Sequence, residues 1–486
     1  MKLFSSLSLV TLTAINCLAS SVLAFTPPAV FENLVLSRKL DLSGSYVRET
    51  VALSIKNTGP KSESVYYFAF EPEHFANIAV FEARLKTSDG SRIIHAVPAE
   101  ETNDKENVNY YTLTFTEPIE PKEEASIQIG IAYINSIFPS PEFGEQSDPQ
   151  LLAYENSRFT VSAYPSVRQN LKILTIGLGP QDINYEDAQE SFSGNYTLEP
   201  TVNEGVLVYG PFDNVPPYTS NSFIVQYEYP RAVVKTVQLQ RDIWISHWGS
   251  TASFVETYQF HHFGTKLKEG FSRLGYMQRA TSYNLNVASY KGIEIHLPEK
   301  AREPFYTDLV GNVSTSSFSQ QEDHTSLVLR PRYPLFGGWN YNFTIGWSVD
   351  LAEYVKTLGP DKYLLRVPLL EGPGEMSYDE VIVNLILPEG ATDIDVAALQ
   401  PFLPETTYIT KSYLDFSGRP TVQLVYKNLI DSYKRTSIFV TYTYTTQAAY
   451  KKPLAVSGVF AALFTAILFL SKVDIKISSY NPKKTK

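Results

Sequence analysis

The sequence predicts a mainly β protein, with two related halves of β-sandwich-like lobes followed by one C-terminal transmembrane helix. Three observations carry this. Residues 46–56, 254–262 and 437–445 combine β-branched and aromatic residues with apolar–polar alternation, the period of a half-buried strand. Strand-signal patterns in the first part of the chain recur in the second. One apolar stretch, residues 454–471, runs uncharged near the C-terminus. The composition agrees, since 32 Tyr and 28 Phe suit pleated surfaces and 30 Pro with 25 Gly suit a chain that turns often.

The elements follow in chain order. Met1-Lys2 and the mostly apolar run ending Val22-Leu23-Ala24 describe a signal peptide over residues 1–24, cleaved after Ala24. The only cysteine, Cys17, leaves with it. The mature chain is then expected to hold no disulfide, thiolate metal site or cysteine nucleophile. Lobes without disulfides must stand on burial alone. The first β-rich half is expected over 25–230 and the second over 231–450, joined near Tyr229-Pro230-Arg231.

Two patterns support duplication. Val47-Arg48-Glu49-Thr50 opens an alternating run that closes at Asn57-Thr58-Gly59, and Phe254-Val255-Glu256-Thr257 opens one that closes at Phe263-Gly264-Thr265. A short strand, a loop and a long aromatic strand recur from Tyr111, Leu207, Ser326 and Thr421, twice in each half. Sandwich packing is the expected way to bury such strands. Residues 350–376, with Gly359-Pro360 and Gly372-Pro373-Gly374, read as the connection between the second half's lobes, and 351–358 as a short helix.

The span is expected over 453–473. Its uncharged core of residues 454–471 crosses roughly 30 Å of hydrocarbon at about 1.5 Å per residue. Gly458, Ala461 and Ala462 offer a small-residue face to a neighbouring helix. Lys472, Lys476, Lys483, Lys484 and Lys486 follow the span, against Lys451 and Lys452 before it, so residues 474–486 read as a cytosolic tail and the bulk as lumenal. Lys483 and Lys484, fourth and third from the end, match a dilysine retrieval signal of endoplasmic reticulum membrane proteins, a receptor-read address. Sequons stand at Asn195, Asn312 and Asn342. Alternation in 341–347 turns Asn342 away from the core.

Catalytic chemistry is hard to assemble. The net charge of -10 gives no basic footprint for nucleic acid. His261-His262 fall in a strand, where adjacent side chains point to opposite faces, so they do not chelate one ion. Asp393-Ile394-Asp395 has the form of a metal-holding D-x-D but is expected on a loop without a nucleotide fold. No G-x-S-x-G, P-loop or Rossmann pattern is present. Gly337-Gly338 reads as a turn. No catalytic residue, cofactor site or metal site is expected.

Several blocks together resemble a known family. These are Gly270-Phe271-Ser272-Arg273, Tyr276 and Gln278-Arg279, then Phe305-Tyr306-Thr307-Asp308 running into Gly311-Asn312-Val313-Ser314-Thr315-Ser316. Arg330-Pro331-Arg332-Tyr333-Pro334-Leu335-Phe336-Gly337-Gly338-Trp339 and Ile386-Leu387-Pro388-Glu389-Gly390-Ala391 follow. In this order they resemble ribophorin I, the α subunit of the eukaryotic oligosaccharyltransferase complex. The likeness covers the mature chain, most clearly about residues 270–396, and the short tail resembles fungal members. It implies a non-catalytic accessory subunit in the endoplasmic reticulum membrane. Its partners would be a multi-spanning catalytic subunit bearing Trp-Trp-Asp-Tyr-Gly, the other subunits, nascent polypeptide and membrane lipid. The complex moves a preassembled oligosaccharide from dolichyl diphosphate to Asn in Asn-X-Ser/Thr. Asn312 lies in the family's own block and ranks first among the sequons. A free lumenal chaperone or lectin-like receptor on one anchor, and an anchored lumenal glycosidase, stand as alternatives.

Overall fold

The computed structural model describes residues 25–87, 90–99, 107–176, 179–191, 194, 196–203, 205–280, 288–321, 324–412 and 415–473. Ala24, Asn195, Lys483 and Lys484 lie outside them.

Ten strands of the first half find counterparts in the second. The first ten are β1 (Phe31–Asp41), β2 (Val47–Asn57), β3 (Glu124–Tyr133), β4 (Ile137–Pro139), β5 (Leu151–Ser157), β6 (Ser166–Leu174), β7 (Gln181–Asp182), β8 (Thr201–Asn203), β9 (Val206–Val215) and β10 (Ser222–Glu228). The second ten are β11 (Val234–Ser246), β12 (Thr251–His262), β13 (Asn340–Asp350), β14 (Val355–Gly359), β15 (Lys362–Pro368), β16 (Ser377–Ile386), β17 (Thr392–Ala398), β18 (Thr406–Thr410), β19 (Arg419–Ile430) and β20 (Ser437–Thr443). The main sheet of the first half contains the order β8-β9-β6-β1-β2-β3, and that of the second β18-β19-β16-β11-β12-β13. In both, the first strand pairs antiparallel with the second and parallel with the sixth. The smaller sheets run β4-β5-β10-β7 and β14-β15-β20-β17, antiparallel throughout. Even the register irregularity recurs, between Asn33 and Val35 on β1 and between Thr236 and Gln238 on β11. The same connectivity therefore occurs twice.

Alternation builds each core. β12 alternates strictly, with Ala252, Phe254, Glu256, Tyr258, Phe260 and His262 inward, as a pleated strand covered on one face must. Main and smaller sheets contribute to one buried cluster per half, from Phe31 to Val233 and from Val234 to Ala448. A smaller cluster joins the halves, with Tyr46, Ala79, Ala132 and Ile134 against Ile430. Polar contacts frame it. The Tyr46 hydroxyl donates to Asp431 Oδ1 at 2.7 Å, Arg48 pairs with Glu375 at 3.0 Å, and Asn135 donates to Asp379 Oδ1 at 2.8 Å.

Each core encloses an ion pair. Arg38 Nε meets Glu49 Oε1 at 2.6 Å, and its Nη1 donates to the Ser157 carbonyl at 2.8 Å, tying the main sheet to β5. Arg241 Nη1 lies 3.2 Å from Glu256 Oε1, and donates to the Leu369 carbonyl just past β15 at 3.4 Å. In the first half Arg38 adds the neutral Asn156 at 2.9 Å, whereas Arg241 adds the carboxylate of Glu371. One guanidinium thus faces two buried carboxylates. Burial pushes Glu371 up to about 7 against the pull of Arg241, and burial likewise raises Glu256.

Three local expectations need correction. The 350–376 segment is not a plain connection, because it carries β14 and β15 of the smaller sheet. Only Leu351–Glu353 coils, as a single 3-10 turn, because the next residues pair with β15 instead. Asp393-Ile394-Asp395 lies in β17, where Asp395 pairs with Thr441 of β20, rather than on a loop.

Candidate functional site at the membrane-proximal face

The C-terminal helix, Thr446–Lys472, is the one helix among the described residues long and apolar enough to cross a membrane. It starts before the apolar stretch because the Thr445 side chain accepts from Ala448 N–H at 3.3 Å, capping a free amide. Two polar turns therefore precede Pro453, and loops of the second half grip them on opposite sides. On one side, Asp415 pairs with Lys452 at 2.6 Å and with Arg419 at 3.3 Å. Burial alone would raise the Asp415 carboxyl. Bonds from Lys452 and the Ser412 N–H, with Arg419 alongside, hold it below the usual range. A Cβ on Gly390 would stand 2.9 Å from the Ala448 Cβ, so that loop too lies against the helix. On the other side, the β11–β12 turn places Trp248, 65% exposed, beside the helix.

Between this turn, the β14–β15 turn and the helix lies an open cleft of about 450 Å³. His247, Tyr363 and Tyr444 form its inner wall, with ring centroids 4.6 Å (His247–Tyr363) and 4.7 Å (His247–Tyr444) apart. His247 contacts the Tyr442 hydroxyl at 2.7 Å, and burial lowers its pKa, keeping it neutral at neutral pH. Asp361 is the one acidic residue, and there is no Lys or Arg, among the described residues that line the cleft. No periodic pattern or motif marks Trp248, Asp361 or Asp415, since the topology alone brings their three turns to the helix.

The sequence-derived residues divide by place. Asn312 is exposed in a two-residue strand, Gly311–Asn312, at the edge of the second main sheet. It pairs with Thr307, which pairs with Thr344 of the Asn342 sequon. Directly paired residues point to the same face, so both sequons share one face. Tyr341 and Phe343 are buried on the other. Gly458, Ala461 and Ala462 are exposed on the helix, and a Cβ on Gly458 would meet nothing within 4 Å. The helix and the sequon face do not form one site.

The chemistry-bearing motifs resolve into structure. His262 is buried, lies 3.1 Å from the Ala288 carbonyl and accepts from Gly264 N–H at 3.1 Å, while His261 on the opposite face meets Asn340. Among the described residues no group of three or more His, Cys, Asp or Glu is placed to hold a metal. Gly337-Gly338 makes a close approach, not a phosphate cradle. A Cβ on Gly337 would fall 2.1 Å from the Thr265 carbonyl oxygen, and Gly338 has φ +81°.

Comparison with known proteins bears on these features together. The sequence profile of the family described as Ribophorin I matches residues 31–471, both halves and nearly all of the helix. The chain belongs to the ribophorin I family. Relatives named subunit 1A and subunit 1B of dolichyl-diphosphooligosaccharide–protein glycosyltransferase, from Arabidopsis thaliana, are 29% and 28% identical to it. The alignments cover 96% and 94% of this chain and 74% and 96% of theirs. A Caenorhabditis elegans protein named subunit 1 is 27% identical over 91% of this chain and 72% of its own. Among solved structures, native yeast leukotriene A4 hydrolase overlaps 41% of this chain and 29% of its own, with 10% identity and a TM-score of 0.28. In this ribophorin I family member, the Pro-Leu-Phe-Gly-Gly-Trp block packs Phe336 and Trp339 against Phe271 and brings Gly337 against the Thr265 carbonyl just past β12.

Proposed function

We propose that this chain is subunit 1 of a dolichyl-diphosphooligosaccharide–protein glycosyltransferase, a non-catalytic member of the complex that carries out protein N-glycosylation. The observation that carries the reading is the family match over residues 31–471, with relatives that bear that name along nearly the whole chain. The architecture suits the role. Two rigid β units on one membrane helix present broad binding surfaces and leave the reaction to a partner. The partners proposed are the multi-spanning catalytic subunit, the complex's other subunits and passing acceptor polypeptide.

The topology belongs to the same reading. Residues 1–24 are taken as the cleaved leader, 25–230 and 231–450 as two lumenal domains, and 474–486 as a cytosolic tail ending in the Lys483-Lys484 retrieval signal, in the endoplasmic reticulum membrane. Asn312 is proposed as the main glycan site, ahead of Asn342 and Asn195. Asn312→Gln should remove one glycan's worth of electrophoretic mass, and an unchanged mobility would refute that assignment.

The test of the function is purification of the tagged full chain in mild detergent. A multi-spanning partner bearing Trp-Trp-Asp-Tyr-Gly, in equal amount and with glycan-transfer activity, is expected. A chain that comes out alone while other membrane complexes survive would favour a free chaperone or receptor.

A further inference from the structure

The cleft beside the helix lies at a defined depth. Pro453 lines it, and the uncharged stretch begins at the next residue. Thr446, Ala449 and Tyr450 line it as well. With about 1.5 Å of rise per residue, the lining runs roughly 10 Å outward from the hydrocarbon edge, the layer that lipid headgroups fill. Trp248 and Tyr450, 65% and 60% exposed, stand at this level, where amphipathic rings partition.

The chemistry of the cleft selects among headgroups. Its walls are aromatic, from Trp248, Tyr363, Tyr444 and Tyr450, and no Lys or Arg is among its lining residues. His247 is neutral, and Asp361 leaves the lining with a net negative charge. Aromatic faces around one carboxylate attract a cation and most favour a diffuse quaternary ammonium. Both lysines of the helix junction lie elsewhere, because Lys452 is paired to Asp415 on the opposite side and Lys451 Nζ lies 3.6 Å from where a Cβ on Gly390 would stand.

We propose that this cleft binds the ammonium headgroup of a zwitterionic phospholipid in the membrane leaflet that its own helix enters. The headgroup cation sits between Trp248 and the tyrosines with Asp361 as counter-charge, and the acyl chains lie along the helix below Pro453. The bound lipid fills the gap between the β14–β15 turn and the helix, and so holds the second half at a fixed height over the bilayer. The inference rests on the helix as a membrane span and is independent of which complex the chain joins.

The test uses the full chain reconstituted in nanodiscs and its tryptophan fluorescence. Phosphatidylcholine brominated at the upper acyl carbons is diluted into phosphatidylglycerol, and the reverse mixture is the comparison. The brominated choline lipid should quench about two- to fivefold more than its concentration predicts, the scale of one cation–π contact. Trp248→Phe should abolish the excess, and Asp361→Asn should lose the preference while keeping ordinary quenching. Equal quenching by both lipids would reduce the cleft to a generic interfacial surface and overturn the proposal. Absence of Trp248 quenching in a chain that has entered the discs would overturn it as well. A chain that does not enter the discs removes the span and the proposal together.

Discussion

Glu49 and Glu256 occupy the same place in the two halves. Each lies on the core face of its half's second strand, paired to an arginine that is the eighth residue of the first strand, Arg38 at 2.6 Å and Arg241 at 3.2 Å. Each arginine then reaches a carbonyl at the end of an equivalent strand in the smaller sheet, Ser157 or Leu369. The Glu-Thr pair that recurs in the sequence is therefore the mark of a duplicated clamp between two sheets.

Removing the cation from one clamp should be severe. Arg241→Met removes the cation paired with buried Glu256 and Glu371 and leaves them only the weaker influence of Lys434, and should cost roughly 3–5 kcal/mol. Combining it with Glu256→Gln and Glu371→Gln should restore much of the loss. Protease resistance of the second half, followed against that of the first, is the measurement. Equal resistance of Arg241→Met and the parent chain would show that the clamp contributes nothing.

The second clamp also carries a pH dependence. Burial raises Glu371 from the ordinary 4.5 to about 7, so the folded chain holds this proton more tightly than the unfolded one. Its stabilising contribution is complete below the unfolded value and is lost as pH rises toward about 7. Glu371→Gln should flatten the decline in stability between those limits and raise stability at pH 8. Urea midpoints measured from pH 5 to 8 test this, and identical slopes for both proteins would contradict it.

Gly337→Ala should be far more costly than its size suggests. The new methyl would collide with the Thr265 and Gly264 carbonyl oxygens at 2.1 and 2.3 Å, both backbone atoms, so the turn must move. A loss above ~2 kcal/mol is expected. A melting temperature within a degree or so of the parent would mean the strands part easily there.

Gly458→Leu separates folding from assembly. Gly458 has open space around it within this chain, so the substitution should leave the β halves and membrane insertion intact. If Gly458, Ala461 and Ala462 pack against a partner helix, the leucine prevents close approach, and co-purification of membrane partners should fall several-fold. Unchanged recovery would assign this face to lipid.

Much of the molecule was legible in the sequence, because strands and membrane helices are local statements of polarity. Alternation located β2, β12 and β20, and the uncharged stretch located the helix. The recurring Glu-Thr pair pointed to the repeat, although its charge hid the fact that both glutamates face inward. Other features depend on pairing between distant segments and left no local trace. β14 and β15 are short, Gly-bounded strands that read as a connection until β20 pairs with β15. The helix starts at Thr446 rather than 453 because of a cap, and Gly390 and Asp415 of the second half lie against its polar turns.

The sequence by itself determined the mainly β class, the single span and the family, since each rests on composition, period or residue order along the chain. Only the tertiary structure decided that the strand order is the same in both halves, that Arg38 and Arg241 hold equivalent clamps, and that Trp248, Asp361 and Tyr450 meet beside the membrane. Those facts are relations across about 90 to 200 residues, fixed by which strands share hydrogen bonds and which faces exclude water. A linear pattern records the period of each strand but not its neighbour.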